Sequence, residues 1–523
     1  MLCASLVQAA PNPVPQVLNA EEARHFLVRT GFAPSQAQVD ALVGKNTQQV
    51  INATVDLAQA AKPKHPAPAF VAQPLPAPIQ SLATQEERMA ARQLQMREGL
   101  DIKTWWLREM LESDAPLQER LTLFWHNHFA TSQQKVVRSV AMWNQHQLLR
   151  GQTLGSFASL LHAVAKDPAM LAYLDGANSR KEAPNENFAR EVMELFVLGE
   201  ASQAALGLGG YTEKDIREAA RAFTGWSLER DTFTFRFRPL LHDAGDKTVL
   251  GTTGRLDGDG VIDILLRQDA AARFVVRKLW LEFVSPTPVD AEVERLAQAF
   301  RASGYQLAPL VKKLLASEAF WAPENRTALV KSPIELVVGS MRQFNVAVPD
   351  TLPLVLKSAQ LGQNLLVPPN VKGWPGYTQW ITASSLLERK RFSQNLLQPV
   401  PGMVRTMGTS MTSGMGEPAT QAGGREMAGT SPPSPSSQFS RAQQEVVGAN
   451  NLQRLAAAAQ IQWDAPAWLQ AQGLRPDSEP DKTQQQQLAA LLLGRQSVQA
   501  VADGTVGMGW LKALMADPAY QLK

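Results

Sequence analysis

The sequence predicts a mainly α protein, one large multi-helix domain with a minor β-hairpin near 231–254. Three observations predict it: apolar residues recur at helical spacing over most of the 523 residues, capping and breaking residues bound those stretches, and one segment alternates with period two.

Taken in order, Asn19 followed by Glu21 and Glu22 gives a cap and an acidic first turn to a helix through His25, Phe26 and Leu27, which Gly31 ends. A second helical region covers 35–61. Residues 62–78 are rich in Pro and Ala and predict an extended connection across the surface. Residues 85–113 have Glu, Arg, Gln and Leu at helix-favouring density, and Trp105, Trp106, Leu107, Met110 and Leu111 form their buried end. Further helices are predicted over 116–129, 136–149, 157–165, 186–198 and 212–223. Between Thr232 and Arg238, Phe233, Phe235 and Phe237 alternate with polar residues, which predicts a strand with 248–254 as its partner. Helical patterning resumes over 260–391, with caps and breakers at Ser317, Pro333 and Pro353.

The ends and one internal segment differ from this body. Residues 1–10 are small and apolar and end in Val7, Gln8 and Ala9, the pattern of a signal-peptidase site, though without a basic leading region. They are expected to be the tail of a truncated signal peptide, which makes 11–400 the main helical domain. Residues 404–445 are dominated by Gly, Ser, Thr, Met, Gln and Pro, which bury too little apolar surface to offset ordering entropy, and a disordered linker is expected there. A small helical tail over 446–523 follows.

Composition narrows the function classes. With 51 basic and 48 acidic residues the net charge is +3, which gives no argument for a nucleic-acid partner. No later stretch reaches the 18 or so uninterrupted apolar residues of a membrane span. The only cysteine, Cys3, lies in the leader-like segment, so a processed chain would hold neither a disulfide nor a thiolate metal site. The chain has no Walker loop, dinucleotide fingerprint, Gly-x-Ser-x-Gly elbow or His-Glu-x-x-His motif.

The most distinctive residues lie between Leu121 and Arg391. They run from Phe124, Trp125, His126, Asn127, His128 and Phe129 through Lys166, Asp167, Pro168 and Tyr173 to Pro184, Asn185, Glu186, Asn187, Phe188, Ala189, Arg190, Glu191 and Glu194. After these come Gly210, Tyr211, Thr212 and Glu213, then Thr224, Gly225 and Trp226, then His242, Asp243 and Lys247. The series closes with Pro368, Pro369, Asn370, Val371, Lys372, Gly373, Trp374, Pro375 and Gly376, followed by Trp380 and Arg389. This ordered series resembles the domain-of-unknown-function 1800 (DUF1800) family. The resemblance implies a large helical domain in bacterial proteins that are commonly exported and often encoded beside a companion family related to sulfatases, which would be the expected partner. It implies no reaction. It leaves the Ser/Met/Gln-rich segment and the C-terminal tail as additions peculiar to this chain or its close relatives.

The residues themselves offer a polar constellation. His126 and His128 can grip one divalent metal from a strand or loop, but on a regular helix they point about 200° apart, at roughly 3.6 residues per turn. The competing reading has them capping carbonyls and packing on Trp125 and Phe129. Asn187, Glu191 and Glu194 share one helical face, as do Glu186, Arg190 and Glu194, with Asn185 as N-cap. Such carboxylates can act as general bases or hard metal ligands, or form an ion-pair network with arginines such as Arg217 or Arg221. In a loop after the strand, Asp243 can orient His242 or close an Asx turn. Trp374 and Trp380, stiffened by neighbouring prolines, can floor a glycan or peptide cleft or plug the core.

Two functions are compatible with these features. In one, an exported hydrolase of an envelope or extracellular polymer uses a cleft of His126, His128, Glu186, Glu191, His242 and Asp243, with Asn187, Arg190, Glu194, Lys247, Trp374 and Trp380 in binding roles and a divalent metal as an optional cofactor. In the other, the same residues fix the fold of a non-catalytic scaffold or partner-binding protein. Convergence of the His126, Glu186 and His242 segments on one open cleft separates the two.

Overall fold

The computed structural model describes residues 14–397 and 463–523, and helices dominate it. The expected leader and the expected linker lie outside the described residues. The first helix, Ala20–Thr30, has the Asn19 cap anticipated from sequence, and the structure extends it to a capping box: Asn19 accepts from the Glu22 backbone while Glu22 accepts from that of Asn19. Gly31 follows as its C-cap. The 35–61 region forms two helices, Gln36–Asp40 and Thr47–Ala60.

The Pro/Ala-rich connection is extended apart from a short 3₁₀ turn at Ala69–Ala72. It is held to the core at its start by Glu109, whose carboxylate accepts the backbone N–H groups of Lys64 at 3.0 Å and His65 at 2.7 Å. Glu109 lies near the end of the 28-residue helix Gln85–Glu112 and is fully buried, where Arg150 pairs with both it and Glu119. Buried carboxylates and a buried guanidinium are tolerated here because each satisfies the other.

One continuous apolar cluster extends from Leu18 to Tyr520, with Trp106, Trp125, Trp280 and Trp321 among its largest fully buried side chains. Burial at this scale, at roughly 25 cal/mol per Å² of apolar surface, is the main force ordering the helices. The tail belongs to this core. Its helices Ala465–Ala471, Lys482–Leu493 and Gly507–Ala516 contribute Leu469, Leu492, Leu511 and Leu514. Arg24 donates to the Leu491 carbonyl at 2.7 Å, and the Ser340 and Tyr520 hydroxyls meet at 2.9 Å.

The β structure differs from expectation. Phe235–Phe237 pairs antiparallel with Trp226–Leu228, and residues 248–254 fall in a separate hairpin of Lys247–Val249 with Thr252–Gly254. The cause is local. Leu250 and Gly251 both have positive φ, +48° and +78°, the signature of a two-residue type I′ turn that folds Lys247–Gly254 on itself and leaves Trp226–Leu228 as the strand's neighbour.

A candidate active-site cleft between two helices and an aromatic loop

The helix Pro116–His128 runs through the whole His-Asn-His triplet, so its side chains diverge as helical geometry requires. His126 is buried against Trp106, and its Nε2 lies 3.0 Å from Nδ1 of His146. Burial holds it neutral, with its pKa lowered to about 3. His128 faces elsewhere. Its Nε2 lies 3.0 Å from the Phe196 carbonyl, within the π-helical turn Val192–Leu198. A carbonyl only accepts, so Nε2 carries the proton and Nδ1 accepts from Lys278 Nζ at 3.1 Å. Between the two histidines, Asn127 takes a third direction and accepts the Trp374 backbone N–H at 2.6 Å.

The other expected constellation does not join them. Glu186 and Asn187 are exposed. Asn185 caps the helix Glu186–Glu191 as expected, but Arg190 forms a two-pronged pair with Glu213, both contacts at 2.7 Å, instead of pairing with Glu186 or Glu194. Glu194 accepts from the Tyr211 hydroxyl at 3.3 Å, and burial together with neighbouring Glu194 raises the pKa of Glu191. Asp243 closes an Asx turn to the Gly245 N–H at 2.9 Å and pairs with Arg221 at 2.7 Å, while His242 Nδ1 donates to the Thr224 carbonyl at 2.9 Å. Asp243 therefore does not orient His242. Buried Lys247 donates to the Gly245 carbonyl at 2.9 Å and stiffens the same loop. The His126, Glu186 and His242 segments thus carry separate local networks. Among the described residues no three His, Cys, Asp or Glu side chains are grouped to hold a metal ion.

An open cleft does form elsewhere, with a volume of about 250 Å³, where the helices Pro116–His128 and Asp269–Phe283 meet the loop 372–380. Lys278 and Glu282 line it from one face of the second helix, four residues apart. Trp374, Tyr377 and Trp380 line it from the loop, and Asn127, Glu335 and Lys523 are among its other polar lining residues. Trp374 and Trp380 are both buried and both border the cavity, which reconciles the core and cleft readings. Tyr377 holds φ at +55°, a left-handed conformation that costs a non-glycine residue energy and often accompanies binding sites.

Behind the cleft lies a charge cluster. The buried Arg120 guanidinium pairs with both Glu282 and Glu335, and Lys523 pairs with Glu335. Glu335 is saturated, because its second oxygen accepts the Ser332 N–H at 2.7 Å. Glu282 is about a third exposed and lines the cavity, with its Oε1 facing Arg120 and Lys523. Burial lowers the pKa of Lys278 to about 8 and drives that of Lys523 well below the usual lysine value. Burial, with the Glu282 carboxylate adding to it, raises the Tyr377 phenol.

A family model described as a protein of unknown function, DUF1800, matches residues 25–522. The chain is a member of the DUF1800 family. Because the match extends to residue 522, the C-terminal tail is part of the DUF1800 unit and not an addition peculiar to this chain. No curated protein and no solved structure matches it. Among the described residues, no helix of this DUF1800 chain is long and apolar enough to cross a membrane.

The sequence reading missed Lys278, Glu282 and the charge cluster. One signal was available: Lys278 and Glu282 stand four apart in an otherwise apolar turn around Trp280, where charges have a cost unless they are used. Lys523, some 240 residues away in sequence from Glu282, had no comparable signal.

Proposed function

We propose that this chain is an exported hydrolase of an envelope or extracellular polymer, working through the Glu282 cleft rather than through the His126, Glu186 and His242 segments. One observation carries the reading: Glu282, about a third exposed, lines a cavity floored by Trp374, Tyr377 and Trp380. Aromatic faces bind sugar rings and extended peptides alike. A fixed carboxylate beside them can take a proton from an attacking water while the scissile bond passes its electrons to the leaving group. Arg120 and Lys523 pair with that carboxylate and hold it in place. No metal enters this mechanism. Export is supported by the small-residue pattern ending at Ala9.

The competing reading, a non-catalytic scaffold serving an adjacent companion protein, draws its support from the separation of the His126, Glu186 and His242 segments, from the saturation of Glu335 and from the structural bonds of His126 and Asp243. The deciding experiment incubates the full chain and Glu282→Gln with a panel of envelope and extracellular polymers and measures released oligomers by mass spectrometry. Wild type should release products, and the variant should be slower by roughly 100-fold or more, the usual weight of a general base. An inert wild type, or a folded variant of equal activity, would favour the scaffold.

A further inference from the structure

We propose that the cleft selects an acidic polymer, taking a carboxylate or sulfate group of its substrate against Lys278 and the indole N–H of Trp374. The proposal rests on the hydrolase reading for the cleft's purpose but not for its charge preference.

Lys278 and Lys523 line the cleft with Glu282 and Glu335, and buried Arg120 stands behind them, paired with both glutamates. Further inward lies Lys331, which burial, with Arg24, Arg389 and Lys523 near it, holds well below the ordinary lysine pKa. A lysine ammonium without a carboxylate partner is stabilised by an anion brought beside it. Arg120 and Lys523 are occupied by glutamates, but Lys278 is not. Its hydrogen-bond partner is a neutral imidazole, Nδ1 of His128, which leaves two ammonium protons to donate. His128 holds the lysine in the cleft by a bond that the Phe196 carbonyl orients. It acts as a positioning residue.

The second observation concerns hydrogen-bonding capacity. Trp374 is 4% exposed and lines the cleft, and its Nε1 has no hydrogen-bond partner among the described residues. An unpaired buried N–H costs on the order of 1–3 kcal/mol, which an acceptor oxygen on the ligand would recover. An unpaired donor, a lysine without a carboxylate partner and an aromatic floor together describe a subsite for an acidic sugar unit. At the rim, Lys372 is already paired with Glu200 at 2.7 Å and serves as the comparison residue.

The test is calorimetric binding of the full chain to oligogalacturonate, to a sulfated galactan oligomer and to a neutral galactan oligomer of the same length. The proposal expects at least one acidic oligomer to bind tenfold or more tighter than the neutral one, with affinity falling as salt rises. The two acidic oligomers distinguish carboxylate from sulfate. Lys278→Met should reduce the preference to near unity, and Lys278→Arg should restore part of it. If Lys278→Met does not fold, the wild-type ratio alone decides. Equal binding of acidic and neutral oligomers, or no binding of any acidic one, overturns the proposal. Acidic binding without cleavage keeps it and counts against the hydrolase reading, whereas equal cleavage of both classes keeps the hydrolase and removes the charge preference.

Discussion

Asn127 and Trp374 are joined by a 2.6 Å hydrogen bond, from the backbone N–H of Trp374 to the side-chain oxygen of Asn127, and this bond seats the aromatic loop on the helix behind the cleft. Two segments that look independent in sequence, the His-Asn-His triplet and the Lys-Gly-Trp-Pro run, are two halves of one contact. Gly373 makes it possible. Its φ is +89°, and a Cβ there would overlap the side-chain and backbone oxygens of Asn127.

Gly373→Ala should therefore destabilise the fold by about 2 kcal/mol or more, combining left-handed strain with the clash. Asn127→Ala should cost about 1–3 kcal/mol by leaving the Trp374 N–H unpaired. Urea unfolding checks both. A Gly373→Ala variant as stable as wild type would mean that the loop does not need this approach.

Removing the guanidinium behind the cleft should be severe. Arg120 is buried against Glu335 and Glu282, and Arg120→Leu leaves Glu335 with Lys523 as its only cation. Breaking a buried pair from one side costs roughly 3–5 kcal/mol. Replacing Arg120 and Glu335 together by apolar residues should recover part of that loss. If the double variant is as unstable as the sum of the singles, the two residues are not coupled.

Chelation should leave the fold unchanged. His126 and His128 point to His146 and to the Phe196 carbonyl and Lys278, so they do not share a metal. Dialysis against EDTA should not move the melting temperature, and elemental analysis should find no stoichiometric metal that a His126→Ala, His128→Ala double variant loses. A melting temperature that falls on chelation and returns with added zinc would contradict this arrangement.

Acidification should destabilise the protein. Burial holds the pKa values of His25, His126, His128 and His146 below the ordinary value of 6.5, that of His126 at about 3. The unfolded chain then binds more protons below pH 6.5, so stability falls as pH drops through that window. Each histidine contributes on the order of 1.4 kcal/mol per pH unit. Glu119 and Asp167, raised to about 7 by burial, act in the opposite sense, because the folded chain retains their protons between the usual carboxylate range and pH 7. Four histidines outweigh two acids. The melting temperature should be lower at pH 5 than at pH 7, and an unchanged or higher value at pH 5 would mean that these imidazoles are not held neutral.

Local chemistry was legible in the sequence wherever it acts over a few residues. The Asn19 cap, the Asn185 cap and the Asx turn at Asp243, the last one of two alternatives, are local bonds that the nearby residues suggested. The divergence of His126 and His128 followed from helical geometry alone. The strand partner was misread because the Leu250 and Gly251 turn competes with a more distant pairing, and a two-residue loop closes at lower entropic cost.

By itself the sequence determined a mainly helical DUF1800 chain, most of its helix positions and the aromatic character of the 374–380 segment. Only the tertiary structure decided which charges meet. Glu282, Glu335, Arg120 and Lys523 come from four separate places in the chain and share one cluster because a single apolar core draws their helices together. Hydrophobic burial is read from residue type and period, but it is non-directional and does not name its partners. The pairing of buried charges depends on distances between segments that the chain brings together only when it has folded.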